Sequence, residues 1–119
     1  MAGLLPVLDP RPLQDLLDMG AEPGLVQELI GLLKEDVPPR ILTLEKALGA
    51  ADEGLSVQEA HQLKGATANL GLQRFADLAG RIEEGAREGR WEEARELVEA
   101  LPAAYSEALA ALLAAFPES

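Results

Sequence analysis

Apolar side chains recur at spacings of three and four along most of this chain, the period of helices that bury one face. In the longest run, Val26, Ile30, Leu33, Val37, Ile41, Leu44 and Leu48 form one continuous stripe, which predicts a helix from about Glu22 to Leu48. Pro38-Pro39 falls inside it. Each proline in a helix interior removes a backbone hydrogen bond and crowds the preceding turn, at about 3 kcal/mol or more. The stripe keeps its phase across the pair, so the expectation is one kinked helix held by packing rather than two unrelated ones.

Shorter stretches frame this helix. A first helix is predicted over about Arg11 to Met19, with Asp9 as N-cap, Pro10 at N1 and Gly20 as its stop, and the apolar leader before it is expected along the bundle. Gly49 to Gly54 reads as a connection, and Ser56-Val57-Gln58-Glu59 as a capping box opening a third helix that stops near Gly71. A fourth, about Gln73 to Glu88, would bury Phe75, Leu78, Ala79, Ile82 and Ala86, with Gly89 as its stop. The last begins near Trp91 and carries Ala94, Val98, Leu101, Tyr105, Ala108, Leu112 and Phe116 on one face, with a kink at Pro102. Connections this short favour antiparallel neighbours. The fold class is therefore all-α, an antiparallel up-and-down four-helix bundle with a short extra N-terminal helix packed on one end. Residues 1–119 are expected to form one domain, with 1–20 as leader and short helix and 21–116 as the bundle.

Composition narrows the function. Hydrophobic residues make up 48% of the chain and aromatic ones 3%, so the core should be aliphatic. A formal net charge of −11 argues against binding nucleic acid or an anionic membrane. The absence of cysteine excludes disulfides and thiolate metal sites, and one histidine is too few for a histidine-rich zinc site. Met1 to Leu8 lacks the basic start of a signal peptide, and the apolar run Ala108 to Phe116 is too short to cross a bilayer. The expectation is a soluble cytoplasmic protein.

That one histidine, His61, stands in the run Ala60-His61-Gln62-Leu63-Lys64-Gly65-Ala66-Thr67-Ala68-Asn69-Leu70-Gly71. At about 100° per residue, Leu63 and Leu70 fall roughly opposite His61, so the imidazole points away from the core. Lys64, Gly65 and Ala68 share its outward side, giving the ring small neighbours and a cation one turn away. Gly65 in a helix interior costs about 1 kcal/mol against alanine, and its outward phase favours the approach of a partner over internal packing.

His61-Gln62-Leu63-Lys64-Gly65 followed by Gly71 resembles the motif of histidine-containing phosphotransfer (HPt) domains. The likeness covers about Leu13 to Phe116. It implies a two-component phosphorelay in which His61 takes a phosphoryl group from one receiver-domain aspartate and passes it to another. Lys64 would stabilise the phosphoryl oxygens, and Gly71 would end the helix. The family also places a Gln or Glu twenty-two positions beyond the histidine, where it orients the ring through Nδ1; here that residue is Glu83. Val57, Lys64, Gly65, Ala68 and Leu72 are the expected receiver-docking residues, with Arg40 and Arg74 giving further relief from the overall acidity.

The same resemblance implies a phosphocarrier without an autonomous catalytic site, metal or intrinsic cofactor; the Mg²⁺ of the reaction is expected on the partner receiver domain. Expected partners are receiver domains of response regulators or hybrid kinases, with a histidine kinase as a further one, and the protein is expected to be a monomer. Two other readings compete: a phosphoacceptor domain phosphorylated directly by a chemotaxis-type histidine kinase, and a helical adaptor that uses the His61 face without chemistry. At the residue level, Glu83-Glu84 and Glu92-Glu93 also read as solvated helix faces or as partners of Arg87 and Arg95 about one turn on. Trp91 and Tyr105 read as packing residues.

Overall fold

The computed structural model describes residues 5–117, so Met1 to Leu4 of the leader lie outside the described residues. Six helices follow in order: α1 (Arg11–Asp18), α2 (Pro23–Gly49), α3 (Glu53–Ala68), α4 (Gln73–Arg87), α5 (Trp91–Val98) and α6 (Leu101–Ala115). Helix α2 packs on α3, α3 on α4, and α5 with α6 closes the ring against both α4 and α2. This is the all-α four-helix bundle the apolar spacing predicts, with α5 and α6 sharing the fourth position and α1 as the short extra helix.

Helix α2 runs unbroken through Pro38 and Pro39. Every residue of the expected stripe is buried, with Val37 and Leu44 fully so, while both prolines lie exposed on the opposite side. The carbonyls that lose their donors belong to Lys34 and Glu35, whose residues are exposed, so solvent is at hand for them. Packing on one face thus outweighs the loss on the other.

Pro102 does the opposite. The chain breaks at Glu99 and Ala100, and the axes of α5 and α6 meet at 42°, in place of one kinked final helix. Pro102 sits in the first turn of α6, where its missing N–H is no loss; inside a continuous helix its ring would crowd the carbonyl of Val98. The expected face survives the break, with Ala94, Val98, Leu101, Ala108, Leu112 and Phe116 buried and Tyr105 half-buried.

Helix α3 starts one turn before the expected capping box. The Asp52 carboxylate accepts the Leu55 amide at 3.1 Å and caps the helix, which places Ser56 and Glu59 inside it. Ser56 is fully buried and Glu59 is paired with Arg40, so neither caps. Asp52 offers the same oxygen as a serine cap and comes first along the chain. The turn ahead of it places Ala51 in the left-handed region, at φ 53, and the connection expected over Gly49 to Gly54 shortens to Ala50, Ala51 and Asp52.

At the other end of α3, Gly71 has φ 83, which favours glycine. Its carbonyl accepts the Asp9 amide at 2.8 Å, and a Cβ at Gly71 would collide with the Asp9 carbonyl oxygen. Gly71 therefore both ends the helix and admits the leader, whose Val7 and Leu8 pack on the core. Asp9 itself stands one position before the N-cap of α1, which is Pro10, and its carboxylate accepts the Arg11 amide at 3.0 Å. The Arg11 guanidinium and amide hold the Asp9 carboxyl down at about 2.

Candidate functional site

His61 stands on the middle turns of α3, anchored from behind by Ala60 and Leu63, both fully buried. Its own side chain is 63% exposed. Across the α3–α4 packing, Ile82 and Ala86 insert into the core and carry Glu83 with them, so that its side chain is only 6% exposed. The His61 Nδ1 lies 3.2 Å from Glu83 Oε2. The helix-wheel position of Glu83, at the edge of the apolar stripe of α4, is what turns it toward α3.

Three groups converge on this carboxylate. Arg87, one turn along α4, donates to Oε2 at 2.7 Å; His61 meets the same oxygen; and the Lys64 ammonium lies 3.6 Å from Oε1. Burial pushes the Glu83 carboxyl up, and the Arg87 hydrogen bond, Lys64 and His61 together outweigh it, holding the carboxyl below the ordinary value of 4.5. An ionised carboxylate only accepts hydrogen bonds, so the proton between the two groups belongs to Nδ1. A neutral imidazole so held presents Nε2 as its lone pair, pointing away from the protein.

The fixed charges of the cluster are one carboxylate against the ammonium of Lys64 and the guanidinium of Arg87. It therefore has room for added negative charge, in a chain whose formal net charge is −11. The two reserves of positive charge expected elsewhere are spent: Arg40 is tied to Asp36 and Glu59, each at 3.0 Å, and Arg74 to Glu107 at 3.0 Å.

Around the ring the surface is low. Gly65 is exposed, and a Cβ there would have no described atom within 4 Å, so its lack of a side chain serves no contact within the chain. Ala68 is exposed and Val57 half-buried against the core. Leu72 corrects the expectation: it is fully buried. Beyond Gly71 the chain leaves the phase of α3, and the Leu72 amide turns back to the Thr67 carbonyl at 2.9 Å as the N-cap of α4, so the side chain enters the core. A groove of about 500 Å³ lies instead between α2 and α3, lined by Leu29, Leu32, Leu33, Ala66 and Leu70 together with Asn69 and the acidic Glu35 and Asp36. Leu32 is its exposed leucine.

Arg87 appears in the sequence only as an i,i+4 partner of Glu83, and the structure gives that pairing a place in the histidine cluster. The spacing of four was its one signal. No group of three or more His, Cys, Asp and Glu side chains among the described residues could hold a metal ion. No single described helix is long and apolar enough to cross a membrane.

The helical bundle thus presents an exposed imidazole beside a buried carboxylate, flanked by a lysine and a bare glycine. The Hpt domain family profile matches residues 28–115, and the chain belongs to that family. Its role is accordingly histidine phosphotransfer in a phosphorelay. Among solved structures it is similar to histidine-containing phosphotransfer protein B (HptB) from Pseudomonas aeruginosa PAO1, with a TM-score of 0.76 and 26% identity, covering 95% of this chain and 96% of that one. The comparison with curated proteins gives no match.

Proposed function

We propose that His61 carries a phosphoryl group on Nε2 between receiver-domain aspartates of a two-component phosphorelay. The observation that carries this reading is the His61 Nδ1 contact with Glu83 Oε2 at 3.2 Å, which aims the second nitrogen outward. In the forward step Nε2 attacks the phosphorus of an aspartyl phosphate; the Nε2–P bond forms, the P–O bond breaks, and the aspartate leaves as its carboxylate. The positive charge gained by the ring is spread toward Nδ1–H and met by Glu83. Phosphoryl transfer through a loose transition state asks mainly for position and charge compensation. Lys64 supplies the compensation by turning its ammonium from Glu83 to the phosphoryl oxygens.

The chain is a carrier in this account, and the Mg²⁺ of the reaction belongs to the receiver's aspartate pocket. Val57, Gly65 and Ala68 form the low surface onto which a receiver docks, and the α2–α3 groove around Leu32 takes the apolar share first assigned to Leu72. The protein acts as a monomer, one face per receiver. Mixing with phosphorylated receiver domains tests the reading: acid-labile, base-stable label is expected on the wild type. Lasting label on His61→Gln would overturn it.

A further inference from the structure

The glycines along α3 and α4 differ in what a side chain would meet. At Gly65 there is open space among the described atoms; at Gly85 a Cβ would make ordinary contacts with Ala94 and the Arg90 carbonyl of the neighbouring segment. Gly80 is of a third kind. A Cβ there would lie 3.1 Å from Lys64 Cδ and 4.0 Å from Lys64 Cγ, with no other described heavy atom within 4 Å. The glycine leaves a shallow notch in α4, and the aliphatic stem of Lys64 lies in it. Three residues further along the same helix is Glu83, whose Oε1 receives the ammonium end of that stem at 3.6 Å.

We infer that Gly80 is a positioning residue for Lys64, whose stem it lets lie flat across α4 so that the ammonium waits beside the His61 ring. A Cβ at position 80 obliges the stem to give by a few tenths of an ångström, and a longer side chain lifts it toward solvent, where the ammonium, on a flexible four-carbon arm, samples positions away from Glu83. Gly80 sits in a helix interior, where a side chain raises helix propensity. Retaining glycine there sacrifices stability for a contact with one residue. The inference rests on His61 being the phosphoryl carrier and names what sets its charge partner.

The test uses the full chain and phosphoramidate, a small donor that needs no receiver: Nε2–P forms as the donor's P–N bond breaks and its protonated amine leaves as ammonia. Labelling of His61 is expected to slow about twofold in Gly80→Ala and about tenfold in Gly80→Leu, while Tm of the alanine variant rises. In a Lys64→Ala background the same substitutions should cause no further slowing, a result that a purely structural role of Gly80 would not produce. Equal slowing in both backgrounds, or none in either, overturns the inference. A nuclear Overhauser contact between the Gly80 α-protons and the Lys64 δ-protons is expected in the unlabelled protein, and its absence also overturns it. Label from phosphoramidate with none from any receiver leaves the Gly80 inference standing and removes the relay reading.

Discussion

Among the described residues two glutamates are buried, Glu59 on α3 and Glu83 on α4, held by an arginine at 3.0 Å and 2.7 Å respectively. Around Glu59 the set is closed: Arg40 also binds Asp36, giving two carboxylates for one cation and tying α2 to α3 just past the double proline. Around Glu83 the balance is reversed, with Lys64 and Arg87 for one carboxylate and a largely exposed imidazole as the third neighbour. One cluster is satisfied by the chain itself. The other has cationic capacity left over and an outward lone pair, which is what a site for an arriving phosphoryl group requires. Burial of a carboxylate is thus not the mark of function; an incomplete charge balance at an open face is.

The strongest way to break the contrast is to remove the ring's acceptor. Glu83→Ala should slow labelling of His61 about a hundredfold, because Nδ1 loses the partner that fixes the tautomer. Glu83→Gln keeps an acceptor oxygen and should stay within about tenfold of the wild type. Single-turnover transfer from a labelled receiver measures both. Equal losses in the two variants would show that the charge, not the acceptor, matters.

Openness is the next difference to probe. Gly65→Leu fills space that no described atom occupies, so it should slow transfer from a receiver about tenfold or more while labelling by phosphoramidate holds and Tm rises. On the closed side, Arg40→Ala leaves Glu59 buried without its cation and should lower unfolding stability by about 2 kcal/mol in denaturant titration. Transfer rates should stay within about twofold, since Arg40 is bound to Asp36 and Glu59 rather than to the His61 cluster.

The smallest effect is in acid. The Glu83 carboxyl, raised by burial but more strongly lowered by Arg87, Lys64 and His61, lies below its ordinary value of 4.5. A lowered folded value contributes stability that is fully present above the unfolded value and is lost as pH falls through the folded one. Glu83→Gln should therefore flatten the fall in stability below about pH 4.5 relative to the wild type, measured by denaturant midpoints across the acid range. An unchanged slope would mean that the Glu83 cluster adds no net pairing energy.

Much of this contrast is visible in the residues before any coordinates. The stripe on α2 survives Pro38 and Pro39 because its phase puts both prolines on the solvent side, so apolar spacing outweighs a local helix breaker there. At Pro102 spacing alone does not decide, because a first-turn proline and a kinking proline carry the same apolar face; the 42° break needs tertiary structure to locate it. The outward placement of His61 follows from the wheel, and the Glu83 contact from the family resemblance.

Less legible was whatever depended on chain reversal or on the far side of a neighbour. Leu72 is expected on the docking face, and the left-handed turn at Gly71 sends it inward instead. Ser56 matched a capping box that Asp52 pre-empts one turn earlier. Arg40 was expected to relieve acidity near the histidine and instead closes the Glu59 cluster. Gly80 carried no signal, since a notch for a lysine stem exists only once α3 lies on α4.

The central claim is that the open cluster, not the closed one, carries phosphate, and it is tested most directly by receiver-to-protein transfer. Purified wild type, His61→Gln and Arg40→Ala would each be mixed with phosphorylated receiver domains, and acid-labile, base-stable label followed over time. The account predicts label on the wild type and on Arg40→Ala at similar rates, and none on His61→Gln. Lasting label on His61→Gln, or loss of label in Arg40→Ala with the fold intact, would contradict it.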